Sequence, residues 1–234
     1  MSNWSAKKKK AVTFSYDDGT TQDIRLIELL NRYNLKATFN LNSGLLGKNG
    51  WLIRENEKIS HYKVWPGDVR ELYMGHEVAV HTLTHTNLTT LDEPEIIRQV
   101  EQDRLKLSEL AGYEVVGMAY PCGGVNNDER VAKIIWEHTG VRYSRTITST
   151  YNFDVQKNLY RFNPTVSHLQ WDRITELAEK FVARESETPQ IFYIWGHSFE
   201  FDYDDSYWTK MDEFCKFISG REDIFYGTNR EVLL

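Results

Sequence analysis

Hydrophobic and polar positions change their period repeatedly along the chain. Short apolar runs of strand length alternate with segments in which apolar residues recur every three or four positions, such as Ile24, Ile27 and Leu30. That alternation predicts an α/β fold built on a mostly parallel sheet. The predicted strands are residues 11–15, 36–41, 77–80, 115–119, 141–143, 159–162, 191–195 and 224–226.

Helices are predicted between these strands. Asp92 and Glu95 form a capping-box pattern at the start of the longest helix, and Gly112 marks its end. Residues 44–63 are rich in glycine and polar side chains, which predicts a long loop or a small hairpin. The predicted helices are residues 23–33, 69–74, 92–111, 129–138, 174–183 and 207–218.

No linker interrupts this alternation, so residues 1–234 are predicted to form a single domain. About seven strand–helix units in one domain predict an irregular (β/α) barrel of about seven strands. In such barrels the chemistry lies at the C-terminal ends of the strands. Residues that directly follow the predicted strands are therefore the first candidates for a functional site.

Composition excludes several classes of protein. The chain has 28 Lys and Arg residues against 34 Asp and Glu residues, a net charge of −6, which argues against a nucleic-acid partner. The four lysines at 7–10 are interpreted as a solvated approach to the first strand. No apolar run approaches the roughly 20 residues of a membrane helix, so no membrane span is predicted.

The expected location of the protein and the state of its two cysteines are inferred from the signals that the sequence lacks. Without a recognisable signal peptide the expected location is the cytoplasm, or outside the cell if an export signal has been removed. Cys122 and Cys215 show neither a disulfide framework nor a cysteine zinc motif. No motif indicates an oligomeric state.

Polar and ionisable residues follow four of the predicted strands. Since the C-terminal ends of parallel strands share one rim, we expect these four segments to converge. They are Asp17-Asp18-Gly19, His81-Thr82-Leu83-Thr84-His85, Tyr120-Pro121-Cys122-Gly123 and Gly196-His197-Ser198.

The His81 and His85 pair is a candidate metal site. In an extended chain residues four apart are about 13 Å from each other, whereas a helical turn brings their Cβ atoms within about 5–6 Å. Asp17 and Asp18 diverge at a strand end, so one can complete a His/His/Asp site with open positions while the other accepts a proton from water. Two surface histidines and an ordinary Asp-Gly turn are the alternatives.

The remaining histidines have less specific settings. His197 follows an apolar strand and suits a third ligand, a general acid or a core position against Trp195 or Phe199. His168 is a candidate rim residue. Structural roles are expected for His61, His76 and His138.

Four motifs together resemble the NodB-homology polysaccharide deacetylases, also called carbohydrate esterase family 4. TFSYDDG, HTLTH, AYPCGG and IFYIWGH occur in the family's order over about residues 12–197. The resemblance implies three metal ligands, a general base, a general acid and a backbone donor to the oxyanion. These are, in that order, Asp18, His81 and His85; Asp17; His197; and the N–H of Cys122.

Two positions depart from the family pattern. Ala119 occupies the place of an arginine that steadies the catalytic aspartate, and Arg145 or Arg161 is expected to replace it. The acidic partner of His197 is not evident, and Asp172 is our candidate. A Cys122 thiolate nucleophile is a rival interpretation, disfavoured because an ion-activated water already supplies a nucleophile.

The resemblance implies metal-dependent removal of acetyl groups from an acetylated carbohydrate, most of all N-acetyl groups of an amino sugar. Zn²⁺ is the expected ion, with Co²⁺, Ni²⁺ or Mn²⁺ also acceptable to these ligands. An O-acetyl esterase, a small-molecule amide hydrolase and a non-catalytic carbohydrate-binding protein are the alternatives. Expected substrate contacts are Tyr120, Pro121, Trp171 and His168, with ring stacking by Trp51, Trp65, Trp171 and Tyr203.

Overall fold

The apolar run near the start of the chain forms the centre of the sheet. All eight residues of strand β1, Lys10–Asp17, are buried in the computed structural model, which describes residues 3–55 and 57–234. Val12, Phe14 and Tyr16 join the main core, whereas Ala11 joins a smaller cluster. A strand that is buried along its whole length is typical of a parallel sheet with both faces covered.

The other strands and the helices follow in alternation. Met1, Ser2 and Asn56, which fall within the predicted domain and the predicted 44–63 segment, lie outside the described residues. The strands are β2 Ala37–Leu41, β3 Trp51–Arg54, β4 Glu57–Ser60, β5 Glu77–Val80, β6 Gly117–Ala119, β7 Tyr143–Arg145, β8 Val166–Ser167, β9 Gln190–His197 and β10 Ile224–Tyr226. The helices are α1 Asp23–Arg32, α2 Val69–Leu72, α3 Glu93–Ala111, α4 Glu129–His138, α5 Trp171–Ala183, α6 Tyr207–Ile218 and α7 Asn229–Leu233.

Seven parallel strands curl into a half-barrel in the order β7-β6-β5-β2-β1-β9-β8, and β10 also pairs with β1. This architecture confirms the predicted α/β fold of barrel type. The parallel register aligns Asp17 with Asn40 on one side and with His197 on the other. Two of the four candidate segments are therefore neighbours at the same rim.

The helices cover the sheet with their apolar faces. Helix α3 buries Ile96, Val100 and Leu107, and its ends match the sequence signals: Asp92 Oδ1 accepts from the Glu95 N–H, and Gly112 adopts a φ of 81°. The Glu95 side chain pairs with Arg98, so only half of the predicted capping box forms. None of the helices in residues 3–55 and 57–234 is both long and apolar enough to cross a membrane.

The predicted strand at 159–162 is wrong. Leu159–Arg161 forms a single 3₁₀ turn, which Asn158 caps by accepting from the Tyr160 N–H. Phe162 makes an isolated parallel bridge to Arg145. The fourth strand begins two residues later than predicted and ends at the same residue, whereas the fifth lies two residues nearer the C-terminus. The two-residue strand β8 carries too few residues for a period to be seen.

Residues 44–63 contain the predicted hairpin, formed by β3 and β4. The chain after β4 then runs beside the turn that follows β1, and we call it the 61–64 segment. Thr21 N–H donates to the Tyr62 carbonyl at 2.8 Å, and Val64 N–H donates to the Gly19 carbonyl at 2.9 Å. The hairpin therefore delivers this segment directly to the rim of the barrel.

Candidate metal and catalytic site

The end of β1 separates two adjacent carboxylates. Asp17 is the last residue of the strand, and Asp18 follows with a φ of 82°, in the left-handed region. Gly19 continues the turn at a φ of 60°, and a Cβ there would lie 2.6 Å from the Leu41 side chain. The two carboxylates consequently meet different partners, as expected for neighbours at a strand end.

Asp18, His81 and His85 form a compact cluster whose potential ligand atoms lie within 4.8 Å of one another. Asp18 Oδ1 is 3.8 Å from His81 Nε2 and 3.5 Å from His85 Nε2. An ion about 2.0–2.2 Å from each ligand atom fits between groups separated by such distances.

A left-handed turn, and not the expected helical turn, brings His81 and His85 together. Thr82 and His85 have φ values of 66° and 58°. Asn42 Nδ2 donates to the carbonyl oxygens of His81 and Thr82, and the Thr82 hydroxyl accepts from the Thr86 N–H. These local bonds to the backbone are what a segment rich in Thr and Asn is suited to make.

The protonation of this cluster suits a divalent ion. His81 Nδ1 lies 2.9 Å from the Ala119 carbonyl oxygen, which only accepts, so Nδ1 carries the proton and Nε2 keeps its lone pair. Burial lowers the pKa of His81 to about 4 and also lowers the pKa of His85. Asp18 Oδ1 is buried and accepts no hydrogen bond from the described residues. A carboxylate oxygen that accepts no hydrogen bond and faces two neutral imidazoles fits a cation.

Asp18 is ionised at neutral pH. Burial opposes its charge, but a hydrogen bond from His61 and the positive charge of Lys63 outweigh burial and hold the pKa of Asp18 well below its usual range. His61 Nε2 is 3.1 Å from Oδ2, and Lys63 Nζ is 3.5 Å from Oδ1. The expectation of a purely structural His61 is therefore incomplete.

Asp17 is paired with a buried arginine. Arg145 Nη2 lies 2.6 Å from Asp17 Oδ1 and 2.5 Å from Oδ2, and Asn40 Nδ2 donates to Oδ1 at 2.8 Å. The guanidinium is fully buried and lies over the Trp195 ring, 4.6 Å from its centroid. Both oxygens of the carboxylate are thus held in a defined orientation.

Of the two arginines considered from the sequence, only Arg145 contacts Asp17. Arg161 ends the 3₁₀ turn at 159–161, where its Nε donates to Asn127 Oδ1 at 2.9 Å. Its Nη1 is 4.0 Å from Glu129 Oε1. The proposed role of Arg161 is wrong, because the turn directs the side chain to these partners.

Glu200, and not Asp172, is the acidic partner of His197. Its Oε1 is 3.2 Å from His197 Nδ1, and its Oε2 accepts from the His197 backbone N–H at 2.9 Å. Burial alone would lower the pKa of His197, but the Glu200 carboxylate dominates and raises it to about 9. The His197 imidazole is therefore protonated at pH 7. Asp172 lies in the first turn of α5.

His168 does not lie on the rim as predicted. Its ring is fully buried and stacks on Phe201 and Tyr16, with centroids 4.4 and 5.6 Å apart. Its Nε2 is 3.2 Å from Glu200 Oε2, so Glu200 lies between two histidines. The prediction of substrate contact by His168 is wrong, because aromatic packing encloses the ring.

Gly196 makes room for His168. A Cβ at position 196 would lie 2.3 Å from His168 Nδ1, and the aromatic neighbours leave the ring no space to retreat. Gly196→Ala should therefore lower the free energy of unfolding by about 1–3 kcal/mol through overpacking. Urea denaturation measures this, with Gly67→Ala as control, since no atom lies within 4 Å of a Cβ there. Equal stability of the two variants would contradict the expectation.

The loop after β6 presents a backbone donor. Cys122 has a φ of 68°, and Asn126 Nδ2 donates to the carbonyls of Cys122 at 2.8 Å and of Pro121 at 3.0 Å. The Cys122 N–H has no acceptor among the described residues. Burial and the charge of Asp18 raise the pKa of the Cys122 thiol, so the thiol stays protonated. That disfavours the thiolate nucleophile.

The predicted substrate contacts of this loop are wrong. The Tyr120 side chain is fully buried and its hydroxyl donates to the Tyr160 carbonyl at 2.8 Å. Pro121 is also buried. Trp171 is partly exposed, packs on Tyr207 and borders a surface groove, so its contact with substrate stays a prediction.

Comparison with known proteins decides the family. A sequence model described as polysaccharide deacetylase matches residues 5–141. The chain belongs to the polysaccharide deacetylase family. The resemblance noted from the four motifs is thereby confirmed.

Among curated relatives, the peptidoglycan-N-acetylglucosamine deacetylase PgdA of Listeria monocytogenes is 28% identical over 123 residues. The match covers 52% of this chain and 23% of that protein. The chain thus spans about a quarter of the length of this relative.

Solved structures share the fold over nearly the whole chain. A structure titled T48 deacetylase with substrate superposes with a TM-score of 0.60 at 17% identity, covering 97% of this chain and 92% of that one. A pseudoenzyme of carbohydrate esterase family 4 from Bacillus anthracis, BA3943, superposes with a TM-score of 0.55 at 20% identity, covering 97% and 66%. The likeness shows the fold.

Sequence reasoning missed several residues that hold this site together. Glu200 stands three residues after His197, a spacing that a turn closes. Asp103 lies on the apolar stripe of α3, where it accepts from the N–H groups of Ser43 at 2.7 Å and His81 at 3.1 Å. An acidic residue within an apolar stripe is the signal that would have identified Asp103.

Proposed function

We propose that the chain is a metal-dependent deacetylase that hydrolyses N-acetyl groups of amino sugars in a polysaccharide or oligosaccharide. The observation that carries this proposal is that three clusters of ionisable side chains meet at one rim. They offer an ion site, a proton acceptor and a proton donor. The groups are Asp18 with His81 and His85, Asp17 with Arg145, and His197 with Glu200.

The metal would be held by Asp18, His81 and His85. Two imidazoles and a carboxylate suit zinc, and the same atoms are acceptable to cobalt, nickel and manganese. A divalent ion supplies polarisation of the acetyl carbonyl and lowers the pKa of water. The protein's own contribution is a cluster whose ligand atoms are already deprotonated and oriented.

Asp17 is the proton acceptor in this proposal. Its Oδ2 is 3.9 Å from His81 Nε2, so the carboxylate borders the ion site. Arg145 and Asn40 fix the carboxylate, which can then take a proton from the attacking water without reorienting. Arg145 fills the role that the family arginine would have at Ala119.

His197 is the proton donor. Because its Nδ1 faces Glu200, Nε2 is the nitrogen that can pass a proton to the leaving group. The raised pKa of about 9 keeps that proton in place at pH 7. An amine leaving group needs protonation more than an alcohol does, so a donor that is protonated at pH 7 suits amide hydrolysis. The activity in the name of the Listeria relative points to the same bond.

The free N–H of Cys122 is proposed to donate to the oxyanion, a role that needs only a backbone group. Exposed rings near the hairpin offer stacking surfaces for sugar. Trp51 and Trp65 are 47% and 66% exposed, and Trp65 directly follows the 61–64 segment.

Acetate release tests the proposal. The purified chain, stripped of metal and reloaded with zinc, should release acetate from N-acetylglucosamine oligomers at least about tenfold faster than from acetylated xylan. Removal of the ion by a chelator should abolish release, and zinc should restore it, because the ligands are preformed.

Asp17→Asn is the matched control, since it removes the proton acceptor and keeps the shape of the side chain. Release that survives this change would contradict the assigned chemistry. Faster release of acetate from acetylated xylan would show that the preferred substrate is an ester and not an amide. No release from either substrate, with sugar binding retained, would favour a non-catalytic carbohydrate-binding protein.

A further inference from the structure

The 61–64 segment lies along the turn that carries Asp18. Besides the two backbone hydrogen bonds at Thr21 and Val64, Lys63 and Thr20 form an antiparallel bridge. Two alternate side chains of the segment, at positions 61 and 63, point to the same carboxylate. The pairing therefore sets both side chains in register with the proposed ion ligand.

His61 and the ion site use different oxygens of Asp18. Oδ1 faces His81 and His85 at 3.8 and 3.5 Å, whereas Oδ2 lies 3.1 Å from His61 Nε2. A carboxylate oxygen only accepts, so His61 donates its Nε2–H. The ring is held edge-on against Phe199, with centroids 4.8 Å apart, which fixes its direction.

Lys63 acts on the backbone of the same residue. Its Nζ donates to the Asp18 carbonyl oxygen at 2.7 Å and is almost fully buried. Asp18 has a φ of 82°, a conformation that costs a non-glycine residue about 1–3 kcal/mol unless its surroundings stabilise it. Lys63 thus secures the turn and lies 3.5 Å from Oδ1, whereas the hydrogen bond to the carboxylate comes from His61.

We propose that His61 is a positioning residue for the metal ligand Asp18, a role that deepens the proposed function and rests on its metal site. By binding Oδ2, His61 directs Oδ1 to the ion and prevents the carboxylate from rotating. Partners of this kind commonly contribute 10–100-fold to metal affinity.

His61→Phe tests the proposal, because phenylalanine keeps a ring against Phe199 and lacks the donor. The metal-free chain, titrated with zinc against a chromophoric chelator, should bind zinc about 10–100-fold more weakly in this variant. His61→Gln retains an N–H donor and should recover most of the affinity. His138→Gln is the surface control, since His138 lies near Glu93, and it should match the wild type.

The outcomes separate this inference from the proposed function. Zinc affinity of His61→Phe within about threefold of the wild type, or tighter, would overturn the role of His61 and leave the metal site intact. A wild type that does not bind zinc would overturn both. Melting temperatures in chelator report folding without the ion. If His61→Phe does not fold, the Gln variant decides: an affinity about tenfold or more below the wild type overturns the proposal.

Discussion

Arg145→Met should be the most damaging single change at this site. Its loss leaves Asp17 buried and charged without its partner, and breaking a buried ion pair in this way costs about 3–5 kcal/mol of stability. The proton acceptor is also released from its fixed orientation, so kcat for acetate release should fall by about 100-fold or more. Urea denaturation and acetate assays measure the two effects separately.

The double variant Asp17→Asn with Arg145→Met isolates the cause. With both charges removed, stability should recover above that of Arg145→Met alone, because replacing a complete buried pair is far less costly than breaking it. Activity should not fall much below that of Asp17→Asn, since both changes disable one unit. Arg161→Met, at the arginine that contacts Asn127, is the control and should leave both measurements unchanged. Additive losses of stability would contradict the pairing.

The fold was largely predictable because the central strands of its sheet are buried. Every residue of β1 and β2 and most residues of β9 are buried, and the apolar residues of these strands give a local signal for a parallel sheet covered on both faces. The shortest strand, β8, escaped prediction: it has two residues, and pairing with β9 defines it rather than any pattern of its own. A strand was wrongly predicted at 159–162 because aromatic and aliphatic residues there pack on their neighbours from a 3₁₀ turn and not from an extended backbone.

The site was predictable where one residue type and one spacing define the chemistry. His81 and His85 belong to that class. Arg145 was predicted only as one of two candidates and Glu200 was missed, because a charged residue in isolation does not reveal which distant carboxylate or neighbouring imidazole it meets. The same limit explains the error at His168, whose burial depends on Gly196 and on rings from other elements.

Backbone strain concentrates where the candidate chemistry lies. Asp18, Thr82, His85 and Cys122 have φ values of 82°, 66°, 58° and 68°, all in the left-handed region. Each conformation costs about 1–3 kcal/mol for a side-chain-bearing residue. The bonds from Lys63, Asn42 and Asn126 to these turns offset part of that cost. The rim therefore holds the candidate functional groups in defined positions, at the expense of local stability.

Glu200→Gln should move the alkaline limit of activity. His197 must be protonated to donate, so kcat/KM falls as pH rises through its pKa, which is about 9 with Glu200 ionised. Without that charge the pKa returns to about 6.5 or below. The protonated fraction at pH 8 then falls from about nine-tenths to about one-thirtieth, so activity at pH 8 should drop about 30-fold. At pH 6 the loss should be much smaller.

The pH dependence of the free energy of unfolding tests the pair of His197 and Glu200 independently of activity. A histidine whose pKa is raised in the folded state stabilises the protein fully below its unfolded pKa of about 6.5, and that contribution disappears as pH rises through about 9. The advantage of the wild type over Glu200→Gln should therefore shrink by up to about 3 kcal/mol across this window. Asp172→Asn, on α5, should change neither profile. An alkaline limit that stays in place in Glu200→Gln would show that His197 does not owe its basicity to Glu200.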